Sequence, residues 1–180
     1  GGSMLVVIGI LAALHERGRS GRGQVVDAAI VDGTAAMLAP FDSGLRSGGW
    51  LPERGSNVID GGAPYYRTYR CADGRFVAVG AIEEPFYRQL VAGLGLTDLP
   101  DRADRANWPA LRDAFAAAFA TADRDTWAAR FADTDACLTP VLSAPEAADD
   151  PHLRARGLLD GDGRRTGAPR FSRSHTGPLG

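Results

Sequence analysis

Tyr65-Tyr66-Arg67-Thr68-Tyr69-Arg70-Cys71-Ala72-Asp73-Gly74-Arg75-Phe76-Val77-Ala78-Val79-Gly80-Ala81 is the stretch that decides how this chain folds. Its first seven residues favour extended backbone, because aromatic and β-branched side chains fit a pleated, half-buried surface. Asp73-Gly74 reads as a two-residue hairpin turn, and Arg75-Phe76-Val77-Ala78-Val79 returns from it. The prediction is a β-hairpin, and the sequence beyond predicts what covers it. Pro85 suits the first turn of a helix, where its missing N–H costs nothing. Phe86, Leu90, Val91 and Leu94 give that helix one apolar face, and Gly95 ends it. Asn107 caps a second helix, with Pro109 in its first turn and Trp108, Leu111, Phe115 and Phe119 on the inner face. Asp123 caps a third, carrying Trp127 and Phe131. Cys137 to Ser143 is a short strand, and Pro145 to Arg156 is helical in one or two pieces. Hairpin, helices, strand and helix in that order predict an α+β domain over residues 65–153.

Upstream the pattern changes. Residues 3–17 predict a helix that is apolar nearly all round, since Leu5, Val6, Val7, Ile8, Ile10, Leu11 and Leu14 point in every direction. Such a helix is buried on all sides in a folded protein. It is either a central core helix or one whose packing partners lie outside this sequence. Gly18, Gly21 and Gly23 end it. Gln24 to Ile30 predicts a buried strand and Val31 to Leu45 a helix, while residues 46–64, rich in Gly and Pro, predict a long connection.

Composition narrows the function classes. The chain has 180 residues, 44% of them apolar and 23% charged, which is globular rather than disordered, collagenous or coiled-coil. Twenty basic residues, all arginine, against 22 acidic ones leave a net charge of −2. That leaves no positive excess to neutralise phosphates, so nucleic acid is not an expected partner. The longest apolar run, Met4 to Leu14, is too short to span a bilayer and lacks the basic start of a signal peptide, so no membrane partner is expected. Cys71 and Cys137 fit reduced thiols in a cytoplasmic protein.

Few residues carry a chemical signature. His15, His152 and His175 lack metal-ligand spacing, so no metal is expected. No Gly-x-Ser-x-Gly elbow is present, and Cys71 and Cys137 read as small packed residues. Gly161 to Gly167 has no lysine and reads as a solvated turn rather than a phosphate loop. Asp27 and Asp32 read as caps of the following helix. Glu83 stands apart because it follows the apolar strand Phe76–Ala81 and immediately precedes a helix start, where the helix dipole favours an anion. A carboxylate so placed, facing a cleft, is a candidate general base or the partner of a histidine. The plainer role is a helix cap, which Glu84 serves equally well.

Longer motifs carry a resemblance. Arg54-Gly55-Ser56-Asn57-Val58-Ile59-Asp60-Gly61-Gly62-Ala63-Pro64-Tyr65-Tyr66 and Cys71-Ala72-Asp73-Gly74-Arg75-Phe76-Val77-Ala78-Val79-Gly80-Ala81-Ile82-Glu83 closely resemble the 2-methylacyl-CoA racemases within the family III CoA-transferases. Gly21 to Asp27, Thr134 to Leu142 and Ala168 to Arg173 match in the same order. The resemblance implies the C-terminal part of the family III CoA-transferase α/β fold, without most of a Rossmann-like large domain. It assigns residues 1–28 to the end of that large domain, 29–64 to a linker, 65–153 to the small domain and 154–180 to the start of a return segment. It implies an intertwined homodimer, an acyl-CoA thioester as the substrate, and no separate cofactor.

In those racemases a histidine and an aspartate act on opposite faces of the substrate's α-carbon, and a glutamate pairs with the histidine. None of the three histidines here matches that motif. The glutamate lies in a Gly-Ala-Ile-Glu motif, so the resemblance gives Glu83 this role as the catalytic-site carboxylate. Asp60, Gly61 and Gly62 are candidate substrate-binding residues. The usual family continuation is Glu-Pro-Gln-Phe-Tyr, whereas here it is Glu83-Glu84-Pro85-Phe86-Tyr87. Two alternatives stand beside the racemase. One is a CoA-transferase working through an aspartyl acyl-enzyme, in which a run of glycines replaces Asp60-Gly61-Gly62-Ala63-Pro64. The other is an inert dimerisation or binding module, since 180 residues lacking the histidine and aspartate are expected to be inactive alone.

Overall fold

In the computed structural model, which describes residues 2–159, 164 and 166–174, the hairpin forms where the pattern puts it. Strand β1 (Tyr66–Arg70) pairs antiparallel with β2 (Phe76–Gly80), with Tyr69 opposite Val77 and Arg67 opposite Val79. Strand β3 (Leu138–Pro140) adds antiparallel to the other edge of β2, giving the order β1-β2-β3. The hairpin turn is one residue longer than expected. Cys71 N donates to Arg75 O at 2.8 Å and Gly74 N to Cys71 O at 3.0 Å, so Ala72-Asp73-Gly74 is a three-residue loop. Gly74 takes the left-handed position, φ 80°, that such a loop requires.

Helices cover one face of this sheet. They are α3 (Glu84–Leu94), α4 (Trp108–Phe119, after a 3-10 turn at Arg105–Asn107) and α5 (Arg124–Phe131). Pro85 and Pro109 sit in first turns and Gly95 takes the left-handed position after α3, as predicted. The expected side-chain caps do not form: Asn107 is drawn into the 3-10 turn, which Asp104 caps by accepting from Ala106 N, and donates to Asp101 O instead, while Asp123 holds the N-cap position of α5 with no side-chain bond to it. Their inner faces meet Tyr69, Val77, Val79 and Leu138 in a core of Leu90, Leu94, Phe115, Phe119, Trp127 and Phe131. Aromatic rings run through it: Tyr69 stacks on Phe119 at 5.0 Å, Phe119 meets Trp127 edge-on at 5.4 Å, and Trp127 stacks on Phe131 at 6.3 Å. Their polar atoms are satisfied, because Tyr69 Oη donates to Pro64 O at 2.6 Å and Trp127 Nε1 to Phe119 O at 2.9 Å. α3 and α5 approach so closely at Gly93 that an added Cβ would lie 2.2 Å from the Phe131 ring.

Two short helices, α6 (Ala144–Asp149) and α7 (Pro151–Ala155), follow β3. α6 begins with a capping box between Ser143 and Glu146. Glu146 also accepts from Arg124, whose side chain is 5% exposed. That guanidinium donates to Asp125 and Glu146 at 2.8 Å each and to Val141 O at 3.0 Å. Asp125 and Glu146 raise its pKa, and the same pairing holds the Glu146 carboxyl down at about 2. Cys71 is buried in the core and Cys137 is exposed at the entry to β3.

All of this belongs to one of two units, Ala63–Gly180; the other is Gly1–Gly62. In the latter, α1 (Gly2–Ser20) packs against α2 (Ile30–Ser47). Met4, Leu5 and Ile8 of α1 line an apolar groove with Gly33, Ala36 and Met37 of α2. The helix is longer than the expected 3–17, and it is not a central core helix. None of its described residues is buried, and Met4 is 69% exposed. Gln24 to Ile30 does not form the expected strand. It has no regular secondary structure up to Ala29, with Val25 94% exposed, because no described strand lies beside it to complete a ladder. Helix α2 spans the predicted one. His175 and most of the Gly161–Gly167 stretch lie outside the described residues.

Candidate functional site

The end of β2 delivers Glu83. After Gly80 the chain is held by Ala81 N donating to Tyr65 O at 2.9 Å, and Ala81 is fully buried. Glu83 takes the N-cap position of α3 with extended backbone (φ −72°, ψ 144°), and its carbonyl accepts from Tyr87 N at 3.0 Å. Its carboxylate does not close on the helix. It makes no capping hydrogen bond and, among the described residues, no ion pair, and the side chain is exposed. The backbone occupies the cap position while the side chain stays available, which separates Glu83 from Glu84. Glu84 is instead bound to Arg102 at 3.0 Å and Arg88 at 3.7 Å.

Two neighbours shape the surroundings. Cys137, in the left-handed region at φ 50°, accepts from Gly80 N through its carbonyl at 2.9 Å. Burial and the nearby negative charges of Glu83 and Asp135 push its thiol up, so it is a poor nucleophile. On the other side Arg102 lies over the faces of Tyr65 and Tyr87, 4.9 and 4.4 Å from the ring centroids. Tyr87 Oη is buried with no hydrogen-bond partner among the described residues, and burial pushes the phenol up. A groove of about 760 Å³ opens here, lined by Tyr87, Val91, Leu96, Leu99, Pro100 and Arg102 among others.

Asp60, Gly61 and Gly62 fall in the Gly1–Gly62 unit. Asp60 is the hub of a self-folded loop. Its Oδ1 accepts from Asn57 N (2.9 Å) and Gly62 N (3.1 Å). Its Oδ2 accepts from Gly55 N (3.1 Å), Ser56 N (3.3 Å) and Asn57 Nδ2 (2.9 Å). Asn57, only 1% exposed, closes the loop by exchanging bonds of 2.8 and 2.9 Å with the Leu51 backbone. Burial raises the Asp60 carboxyl, but the bonds from Asn57, Gly62 and Ser56 outweigh it and hold it below its usual value. Gly61 has φ 90°, and a Cβ on Gly62 would lie 2.6 Å from Gly55 O. With five donors on two oxygens, Asp60 holds the loop's shape, and a ligand would meet that shape rather than the carboxylate.

His15 and His152 are both exposed, on α1 and α7. Asp32 lies in the first turn of α2 and Asp27 in the irregular segment before it; neither caps the helix, whose N-cap is Ala29 without a side-chain bond. Sequence reading missed the Tyr65–Arg102–Tyr87 stack. The one signal for it was the departure at Glu84, which acquires a partner in the loop after α3.

The sequence model of CoA-transferase family III matches residues 1–173. The chain belongs to CoA-transferase family III. Within that family it is 45% identical over 172 residues to the α-methylacyl-CoA racemase of Mus musculus, covering 94% of this chain and 45% of that protein. To the Homo sapiens α-methylacyl-CoA racemase it is 44% identical over 159 residues, covering 87% and 42%. The chain therefore spans a little under half the length of these relatives. A crystal structure of a CaiB/BaiF family protein from Brucella suis shares the fold, with a TM-score of 0.71 at 24% identity, over 97% of this chain and 49% of that one.

Proposed function

We infer that this chain supplies the small-domain half of an acyl-CoA racemase, which interconverts the two configurations of a 2-methylacyl-CoA thioester. The observation that carries this reading is Glu83, an unengaged carboxylate fixed at a strand end, in a sequence 44–45% identical to α-methylacyl-CoA racemases. A proton on the carbon beside a thioester is weakly acidic. Inversion requires its removal from one face and the delivery of a proton to the other, with an enolate between. Positioned acid–base groups contribute roughly 10²- to 10⁴-fold to such a step. In this reading Glu83 accepts a hydrogen bond from the imidazole that exchanges the proton. It fixes the ring's tautomer and favours its protonated form, as the carboxylate of a serine-protease triad does for its histidine.

The same reading assigns residues 1–28 to a larger domain, 29–64 to a linker and 65–153 to the small domain. Residues 154–180 return toward the larger domain, and two polypeptides interlock. The solvent-facing apolar residues of α1 support it, since a helix of this pattern is buried in a complete fold. It also makes the 180 residues inactive by themselves.

The test uses a polypeptide of the relatives' full length carrying these residues. It is incubated in deuterated water with one enantiomer of a 2-methylacyl-CoA. Deuterium entering the α-carbon together with loss of chirality, with no second substrate, supports the racemase. Absence of label, with CoA passing to an added carboxylate, replaces it with a transferase. Turnover by the 180-residue chain alone overturns the division of labour.

A further inference from the structure

The peptide planes on either side of Glu83 are both held. The one that follows is fixed by the helix, through Tyr87 N on Glu83 O at 3.0 Å. The one that precedes is fixed by a side chain from the loop after α3. Arg102 Nη1 donates to Ile82 O at 2.9 Å and to Ala81 O at 3.4 Å, while Nη2 pairs with Glu84 Oε2 at 3.0 Å. The guanidinium lies over the faces of Tyr65 and Tyr87, and its side chain is 19% exposed. Its own backbone is pinned, since Arg102 O accepts from Trp108 Nε1 at 2.9 Å. Every one of these contacts points into the turn, so the guanidinium is committed to the protein rather than held out for an anion.

We propose that Arg102 is the positioning residue for Glu83: its Nη1 on the Ile82 and Ala81 carbonyls, with Nη2 on Glu84, sets the direction in which the Glu83 side chain leaves the backbone. With both flanking planes fixed, only the side-chain torsions of Glu83 remain free. Glu84, which departs from the usual family residue, is the carboxylate that locks the guanidinium in place. A lysine at 102 keeps the charge but loses the planar fork and the ring stacking. That makes Arg102→Lys the diagnostic change. The consequence for catalysis rests on the role of Glu83 proposed above.

Two measurements separate the parts. In the full-length polypeptide, R102K is expected to lower kcat for α-deuterium incorporation by about 10- to 100-fold, as small misplacements do, with KM little changed. In the E83Q background R102K is expected to cost nothing more, because both changes remove the same contribution. Wild-type kcat in R102K, or losses that multiply in the double variant, overturn the proposal. The hold on the turn is read independently in the 180-residue chain by ¹⁵N relaxation. R102K should lower backbone order at Ile82–Glu84 and leave Leu90–Leu94 unchanged, with the Trp127 indole N–H signal, bonded to Phe119 O in the core, reporting an intact fold. Unchanged order at Ile82–Glu84 overturns it. If the wild-type enzyme incorporates no deuterium, the role of Glu83 falls, and relaxation alone decides whether Arg102 holds the turn. Should R102K unfold, Glu84→Gln removes the Nη2 ion pair at an exposed position while leaving the carbonyl bonds, and is expected to give smaller losses of the same sign at the same readouts; wild-type kcat and wild-type order at Ile82–Glu84 in that variant overturn the proposal.

Discussion

Gly93 sits near the C-terminal end of α3, where alanine ordinarily stabilises a helix by about 1 kcal/mol over glycine. Here the sign should reverse. A Cβ at position 93 would lie 2.2, 2.4 and 3.3 Å from three atoms of the Phe131 ring. That ring cannot step aside, because it is 3% exposed and stacked on Trp127. Overpacking of a buried contact costs typically 1–3 kcal/mol, and three atoms this close put it near about 3. Subtracting the helix gain leaves Gly93→Ala destabilising by about 2 kcal/mol, a fall in Tm on the order of 5–10 °C for a domain of this size. Urea unfolding followed by tryptophan fluorescence, to which the core residue Trp127 contributes, reads it. Phe131→Leu in the G93A background should recover part of the loss, although alone it removes core volume. A G93A protein as stable as wild type, or more stable, refutes the close approach of α3 and α5.

Glu83→Gln in a full-length polypeptide should reduce α-proton exchange by roughly 10²- to 10⁴-fold while leaving acyl-CoA affinity nearly unchanged; unaltered exchange reduces Glu83 to a helix cap. Asp60→Asn replaces a charged acceptor with an amide and should weaken the 51–62 loop by about 2 kcal/mol. Faster tryptic cleavage after Arg54 is the readout, and an unchanged rate refutes the hub. The carboxyl of Asp60 is depressed in the folded chain, so its stabilisation is complete above the unfolded value near 3.9. It is lost only as pH falls through the lower folded value, which predicts that the loop opens in acid, read there by peptic rather than tryptic cleavage within residues 51–62. Glu146 behaves alike with its folded value at about 2. Stability should therefore fall as pH drops from about 4.3 toward 2, and E146Q, destabilised at neutral pH, should lose that dependence; an acid-unfolding curve identical to wild type speaks against the Arg124 pairing.

The hairpin, the three helices over it and β3 were legible because their signals are local. Alternating residues, a proline in a first turn and a glycine after a last turn act within a few positions of one another. The turn came out one residue too short, because Asp-Gly suits both loop lengths and the choice depends on which pairs close beside it. Gln24 to Ile30 looked like a strand because a run of apolar residues announces burial without saying against what. Glu83 was legible from its place between strand and helix. Arg102 was not, because a guanidinium reaching the carbonyls of residues 81 and 82 leaves no period in a sequence. Asp60 was legible as a motif, while its five internal hydrogen bonds depend on backbone curvature that composition does not encode.

Cys137 also gives this protein a built-in reporter. One of its two thiols is sealed in the core and the other is exposed within charge range of Glu83, so a single dye attaches at one defined point without mutagenesis. Because that thiol is pushed up by burial and neighbouring carboxylates, attachment calls for mildly alkaline buffer and a maleimide in excess. The dye would sit beside the carboxylate on which the proposed chemistry turns. Its emission would then register whatever comes to rest against Glu83, including a cationic imidazole.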